Sequence, residues 1–177
     1  MNLEKLKLLI DSFAEMEGRT VTLTGGEVFL YKEIKDLLYY IHQRHLRIII
    51  YSNLIVLNDE MLRILERVNI DHIQVSLYGV HPEIHDTITG VKGSCERTLR
   101  SIKMLLKTQI PLKIACPVMR ENSSDVIPVL EFAKKNMIPV DLELNITARE
   151  NKDKDNLEHR LSLKEMESLL RDLVAYD

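Results

Sequence analysis

The chain has 177 residues, with 24 Lys and Arg against 27 Asp and Glu, so its formal net charge is −3. This length and a hydrophobic share of 45% favour one globular domain. The charge balance argues against the basic face that nucleic-acid binding needs, and no apolar run approaches the ~18 residues of a membrane span. The N-terminus alternates charge and leucine, unlike a signal peptide, which predicts a cytoplasmic protein.

Helical and strand periodicities alternate along the chain. The first amphipathic helix is predicted over residues 3–17 and is expected to end at Gly18. Strands are predicted at 21–24, 46–51, 73–77, 112–118 and 140–144. Further helices are predicted at 34–41, after an Asn58 cap to 68, at 95–108, from a Ser123 or Ser124 cap to 136, and after Ser162, where Glu165 completes a capping box. Residues 78–94 are expected to be a connection and 145–160 a polar loop.

The spacing of the strands predicts the fold class. Successive strands start about 26 residues apart, except for one gap of about 40, and about 26 residues form one βα unit. Apolar central strands are typical of a parallel sheet covered by helices. Five strands are too few for an eight-stranded barrel, which needs roughly 250 residues. We therefore expect a partial (β/α) barrel, an incomplete TIM-like fold with about five parallel strands and flanking helices, as one domain over 1–177.

Small and polar residues follow the predicted strands at the edge where α/β proteins place their sites. The sharpest such segment is Thr24-Gly25-Gly26-Glu27. Two glycines leave backbone polar groups open to a ligand, and a carboxylate beside them suits a cationic amine better than a phosphate. The alternative is a strand-to-helix turn with a solvated Glu27.

Four segments, in order, carry a resemblance to a known family. They are TLTGGE, LRIIIYSN, QVSLYG and HPEIHDTITGVKGSCERTLRSI, between about residues 20 and 146. This series resembles the radical S-adenosylmethionine (SAM) superfamily. It is most similar to the branch with peptide-modifying enzymes that carry a SPASM extension and with the molybdenum-cofactor biosynthesis protein A type.

The resemblance implies a set of cofactor-binding residues. Gly25, Gly26 and Glu27 match the GGE motif, which holds the amino end of SAM. Asn53 matches an Asn beside the cofactor, and Ser76 matches a serine that contacts SAM. The chain departs from the family pattern at three positions: Leu54 replaces a Gly, Tyr78 stands where Asp is common, and Thr89 lies near the place of an Arg that reaches the SAM carboxylate.

The resemblance also implies a 4Fe-4S cluster held by a C-x-x-x-C-x-x-C motif, with which such iron-sulfur oxidoreductases cleave SAM to a 5′-deoxyadenosyl radical. This sequence has two cysteines, Cys95 and Cys116, and both are expected to be small buried residues. We therefore interpret the chain as an N-terminally truncated part of a radical SAM enzyme that modifies a peptide or small metabolite. Alone, it is expected to be inactive and to bind neither cluster nor SAM. The alternative is a cluster-free α/β binding or scaffold module that has lost catalysis.

Three smaller expectations follow. A missing first strand would leave strand 20–24 as an exposed edge, which predicts a homo-oligomer through residues 20–27. His81 and His85 have the spacing of zinc ligands on one helix face, but a surface turn is the favoured interpretation. The loop over 149–160 is either solvated or a substrate lid.

Overall fold

A computed structural model describes residues 2–147 and 155–176. Its five strands form one sheet in the order β1-β2-β3-β4-β5, and the strands are parallel. Their bounds are β1 Thr20–Leu23, β2 Arg47–Ser52, β3 Ile70–Ser76, β4 Leu112–Pro117 and β5 Val140–Glu143. Because helices lie between successive strands, the sheet confirms the predicted fold class of five parallel strands with flanking helices.

Seven α-helices and three short 3₁₀-helices accompany the strands in the described part of the chain. The α-helices are α1 Leu3–Glu15, α2 Ile34–Gln43, α3 Asp59–Leu65, α4 Pro82–Thr89, α5 Ser94–Leu105, α6 Val126–Lys135 and α7 Leu163–Tyr176. The 3₁₀-helices are Val28–Leu30, Arg120–Asp125 and Asp155–His159. None of the described helices is long and apolar enough to cross a membrane, and the cytoplasmic location stays a prediction.

The chain divides into two compact units. The first unit comprises Met1–Val75 with Arg100–Lys113, and the second comprises Ser76–Leu99 with Ile114–Asp177. In the first unit, β2 and β3 contain fully buried residues, namely Ile48, Ile50 and Ile73. In the second unit Val118 and Val126 pack with Leu169 of α7. The expectation of a single domain stays a prediction.

The end of α1 differs from the prediction at Gly18. The left-handed residue that stops the helix is Glu17, with φ 61°, while the Gly18 amide bonds to the Phe13 carbonyl at 2.9 Å. A Cβ built at Gly18 would lie 2.3 Å from the Phe13 ring. Gly18 is therefore needed for close packing against an aromatic ring, and sequence reasoning assigned it the wrong role.

Two further boundaries were predicted wrongly. The segment 78–94 was expected to be a connection, but it contains α4, which begins at Pro82 and ends at Gly90 in a left-handed conformation. Neither Ser123 nor Ser124 caps α6, because both belong to a 3₁₀-helix and Asp125 is the residue that precedes α6. These signals are short and local, and the tertiary structure overrides them.

The predicted caps elsewhere are confirmed. The Asn58 side chain accepts a hydrogen bond from the Met61 amide at 2.9 Å, at the start of α3. At the start of α7, Glu165 accepts from the Ser162 amide at 2.6 Å and the Glu165 amide donates to the Ser162 hydroxyl at 3.3 Å. This reciprocal pair is a capping box.

The polar loop predicted over 145–160 is described only in part, because residues 148–154 lie outside the described residues and include half of the suggested lid. The final residues of the loop form a 3₁₀-helix at Asp155–His159. His159 Nδ1 lies 2.7 Å from Glu121 Oε1, and Arg160 Nε donates to the Ile146 carbonyl at 2.7 Å. These contacts hold the end of the loop against the neighbouring 3₁₀-helix and the chain that follows β5.

Candidate functional site

The glycine pair of the first unit forms an open turn directly after β1. Gly25 has φ +128°, a conformation that favours glycine, and both Gly25 and Gly26 are exposed. A Cβ built at either position meets no atom within 4 Å. The backbone of this turn is therefore accessible to a ligand.

Glu27 ends the turn, and its carboxylate is bonded within the protein. It accepts hydrogen bonds from the Phe29 amide at 3.0 Å, from the Ser52 hydroxyl at 2.7 Å and from the Asn53 amide at 3.0 Å. The parallel register that pairs Leu23 with Ile50 brings the ends of β1 and β2 together, so these contacts can form. A solvated Glu27 is thus not what the structure shows, because the carboxylate joins the two strand ends.

The segment after β2 is a tight turn that supports Glu27. Asn53 Oδ1 accepts from the Ile55 amide at 3.0 Å, so this oxygen organises the turn. Leu54, which replaces the glycine of the family pattern, keeps a left-handed conformation at φ 59° and is fully buried. Its amide donates to the Ser52 hydroxyl at 2.9 Å, and its carbonyl accepts from Ser101 at 2.8 Å. Burial of the leucine side chain offsets the backbone strain that glycine would avoid.

A cavity of about 520 Å³ opens beside this turn in the first unit. Gly25, Gly26 and Glu27 are among its lining residues, and so are the apolar Val28 and Leu37. The arrangement offers a carboxylate and open backbone groups next to an apolar wall. It suits a ligand with a cationic amine and an apolar body.

Ser76 belongs to the second unit, where it ends β3 and is half-buried. After it, the Leu77 amide bonds to the Ala115 carbonyl at 3.0 Å. Tyr78 packs edge-on against His85 with ring centroids 5.7 Å apart, and burial raises the pKa of its phenol. Thr89 Oγ1 lies 2.7 Å from the Ser94 hydroxyl, within the α4–α5 connection. The cofactor-binding roles of Gly25, Gly26, Glu27, Asn53 and Ser76 stay predictions.

Sequence reasoning missed a second polar cluster, centred on Asp125. This carboxylate is 1% exposed and accepts hydrogen bonds from the Val80 amide at 2.6 Å and the His81 amide at 3.1 Å. It also pairs with His81 Nδ1, and this hydrogen bond raises the pKa of the imidazole. A Cβ at Gly79 would lie 2.3 Å from Asp125 Oδ2. No sequence signal links residues that lie about 45 positions apart, since no motif has that spacing.

The two histidines differ in their surroundings. His81 is exposed at the start of α4, as a surface turn predicts, but His85 is 1% exposed, so that prediction is wrong for His85. His85 Nδ1 lies 3.1 Å from Ser94 Oγ, its Nε2 has no hydrogen-bond partner among the described residues, and burial lowers its pKa. No group of three metal-binding side chains occurs in the described ranges, which gives the zinc alternative no support there.

Both cysteines are fully buried, which confirms the prediction for each of them. Burial raises the pKa of Cys95 to about 11 and that of Cys116 to about 12. Iron–sulfur ligation needs thiolates and, in this family pattern, three of them. These two thiols therefore do not fit the cluster, and the 177 residues hold no C-x-x-x-C-x-x-C motif.

Comparison with known proteins finds relatives of similar sequence. The AdoMet-dependent heme synthase of Methanosarcina barkeri is 28% identical over 132 residues, which are 75% of this chain and 38% of that protein. The antilisterial bacteriocin subtilosin biosynthesis protein AlbA of Bacillus subtilis is 27% identical over 127 residues, 71% of this chain and 28% of that protein. The chain thus spans well under half the length of these relatives.

A solved structure shows the same fold. Streptococcus suis SuiB bound to S-adenosylmethionine superposes with a TM-score of 0.76 at 16% identity, over 98% of this chain and 40% of that chain. The sequence profile of the radical SAM superfamily matches residues 1–133, most of the chain. This chain belongs to the radical SAM superfamily.

Proposed function

We propose that the chain is the part of a radical SAM enzyme that binds the amino-acid end of SAM. The observation that carries the proposal is the Glu27 carboxylate, held by three hydrogen bonds beside the open Gly25–Gly26 turn. A carboxylate and open backbone groups are complementary to an ammonium group. When bound and reduced by one electron from the cluster of the parent protein, SAM would supply the 5′-deoxyadenosyl radical that abstracts hydrogen from a substrate. The residues of this chain bind and orient the cofactor.

The residues divide this work between them. Gly25 and Gly26 offer backbone groups, and Glu27 offers its carboxylate. Asn53 holds Glu27 through its amide and shapes the following turn through its side chain. In our proposal Ser76, at the end of β3, also contacts the cofactor, as its match to the family serine implies.

The two cysteines of this chain are buried and do not fit the 4Fe-4S cluster of the family. We therefore propose that this chain does not hold the cluster. We propose that the chain alone is inactive. Reconstitution with iron and sulfide under anaerobic conditions should leave it without the visible absorption of a 4Fe-4S cluster. A stable cluster on this chain would contradict the proposal.

We infer that the substrate of the parent protein is a peptide or a small metabolite. A relative named for bacteriocin biosynthesis and another named for heme synthesis support these two classes. Fold alone does not select between them. Incubation of the complete protein with SAM, a reductant and candidate peptides or metabolites tests the class, and mass loss or a new crosslink in a peptide would select the first.

SAM binding tests the role of the site. The sequence alone led us to expect no SAM on the isolated chain, but the turn is already held in shape, so we propose that a weak affinity remains. Titration of the ¹⁵N-labelled chain with SAM should shift the Gly25 and Gly26 amide signals. Replacing Glu27 with Gln should abolish the response, because an amide cannot accept from all three donors. Wild-type signals that stay unmoved at millimolar SAM would contradict the proposal.

The cluster-free binding module remains the second candidate, favoured by the two buried thiols and by Leu54 and Thr89 at positions that depart from the family pattern. Sequencing the genomic DNA upstream of the Met1 codon distinguishes the two. An in-frame strand followed by C-x-x-x-C-x-x-C supports the enzyme. A stop codon without that motif supports the module.

A further inference from the structure

We infer that Ser52 is a positioning residue that sets the orientation of the Glu27 carboxylate toward the cofactor. The inference rests on the proposed function, since it concerns how Glu27 meets the ammonium group of SAM. Ser52 is 5% exposed and ends β2, so its hydroxyl acts from inside the protein and does not itself face the cavity beside Glu27.

The hydrogen-bond pattern determines where the Ser52 proton goes. The Leu54 amide donates to Ser52 Oγ at 2.9 Å, so the hydroxyl oxygen is an acceptor in that contact. A serine hydroxyl has one proton to donate, and Glu27 Oε1 lies 2.7 Å away. The hydroxyl therefore donates to Glu27, and this is a hydrogen bond to a charged group, the stronger kind.

Further hydrogen bonds connect the contact between Ser52 and Glu27 to buried residues of the first unit. Ser101 of α5 is 1% exposed and donates to the carbonyl of Leu54 at 2.8 Å. Leu54 is fully buried, and its left-handed backbone places its amide against Ser52. The turn that orients the Ser52 hydroxyl is thus anchored to α5. An anchored donor loses little entropy when it binds the carboxylate.

The two oxygens of the Glu27 carboxylate accept different numbers of hydrogen bonds. Glu27 Oε1 accepts from Ser52 and Phe29, whereas Oε2 accepts from the Asn53 amide. A carboxylate has about four acceptor positions, so the described contacts leave capacity on Oε2. The terminal torsion of a glutamate is broad, and the Ser52 hydroxyl helps fix the plane of the carboxylate. Oε2 is therefore the oxygen that Ser52 directs toward a ligand ammonium.

Two probes separate this positioning role from a general loss of structure. SAM carries the ammonium group, whereas 5′-methylthioadenosine has the adenosine and sulfur but no amino-acid end. Both are titrated into the ¹⁵N-labelled chain while the amide signals of Gly25, Gly26 and Ser76 are followed, and Ser76 reports binding of the probe without the amino-acid end. We expect Ser52→Ala to weaken SAM binding about tenfold, the loss expected for one hydrogen bond to a charged group. The response to 5′-methylthioadenosine should be the same in both proteins.

A matched variant tests whether the hydroxyl is responsible. Ser52→Thr keeps the donor and should bind SAM within about threefold of wild type, which is below the loss of one such hydrogen bond. Ser52→Cys replaces the hydroxyl with a weak donor of similar size and should behave like Ser52→Ala, so it serves if the alanine variant does not fold.

Three results would overturn the inference. Equal SAM affinity of wild type and Ser52→Ala would do so while the proposed function stands. An equal loss for both probes would assign Ser52 to general stability. A wild-type chain that does not respond to SAM would reject the proposed function and this inference together.

Discussion

In the second unit, the missing side chain of Gly79 leaves room for the Asp125 carboxylate. The buried Asp125 carboxylate bonds to the Val80 and His81 amides, and a side chain at position 79 would enter that space. Asp125 cannot move toward solvent, because it is 1% exposed. The order of the loop after β3 therefore depends on a glycine.

We expect Gly79→Ala to lower the free energy of unfolding by about 2–4 kcal/mol, since the added methyl group displaces a buried, hydrogen-bonded carboxylate. Urea unfolding followed by circular dichroism measures the change. Gly26→Ala is the matched control, because a Cβ there meets no atom within 4 Å, and its effect should stay within about 0.5 kcal/mol. Equal losses in both variants would refute the role of Asp125.

The His81–Asp125 pair should make stability depend on pH. The hydrogen bond to Asp125 raises the pKa of His81 in the folded state, so the folded protein holds this proton more tightly than the unfolded chain. The contribution of the pair is fully present below about pH 6.5, the ordinary pKa of histidine, and is lost as pH rises through the folded pKa. The difference in urea midpoint between wild type and His81→Asn should therefore decrease as pH rises through this range. A constant difference would contradict the prediction.

The titration of His85 should change stability with pH in the direction opposite to that of His81. Burial lowers its pKa, so the unfolded chain takes up a proton at a higher pH than the folded protein does. Stability is then lost as pH falls from about 6.5 toward the folded pKa. His85→Gln, which cannot titrate, should reduce the loss of the urea midpoint between pH 7 and pH 5. The same acid loss in both proteins would show that other groups cause it.

At the scale of elements, three helices in the described ranges end on left-handed residues that are not glycine. They are Glu17 after α1, His45 after α2 and Met137 after α6, with φ of 61°, 57° and 56°. The Ile138 amide bonds back to Ala133 at 2.9 Å and the Met137 amide to Lys134 at 3.2 Å, the Schellman arrangement. Each of these ends carries backbone strain that glycine would relieve.

Met137→Gly should raise the free energy of unfolding by about 0.5–1 kcal/mol, because Met137 is 91% exposed and gives up little packing. Leu54→Gly is the matched contrast. It relieves a similar φ of 59°, but it removes a fully buried side chain, so a net loss of about 1–3 kcal/mol is expected. Chemical unfolding of both variants measures the two changes. Loss of stability in Met137→Gly would contradict the strain argument.

For the whole molecule, the predicted association concerns the exposed edge of β1. The sheet order places β1 at one end, paired with β2 and with no described strand on its other side. A groove of about 300 Å³ next to it is lined by Leu9, Phe13 and Val21, and Leu9 is 58% exposed. Unpaired edges and exposed apolar side chains favour pairing with another chain. The predicted homo-oligomer through residues 20–27 therefore stays a prediction with a physical basis.

A proline on the outer side of β1 should weaken this association. The Arg19 carbonyl accepts from the Arg47 amide, so alternate residues face β2 and Thr22 directs its backbone toward the open edge. Thr22→Pro removes an outward N–H and should shift light-scattering masses toward the monomer, whereas Thr22→Ala should not. A strict monomer for wild type at high concentration would contradict the prediction.

Several features were predictable from the sequence because they are local or periodic. Strand spacing and apolar runs predicted the parallel sheet, and the Asn58 and Ser162 caps bond to residues three positions away. The GGE turn was also found, since its glycines and carboxylate are adjacent. Helix α4 was missed because it is short and because the glycines around it indicated a connection.

The sequence by itself determined the fold class, the family and the Gly25–Glu27 segment, because periodicity and adjacent motifs depend on neighbouring residues. The tertiary structure alone decided that Ser52 bonds to Glu27, that Asp125 holds His81, and that His85 is buried. These contacts join residues that are far apart along the chain or depend on burial. They exist because parallel strands end at one edge and helices pack over the sheet, and no local pattern encodes that placement.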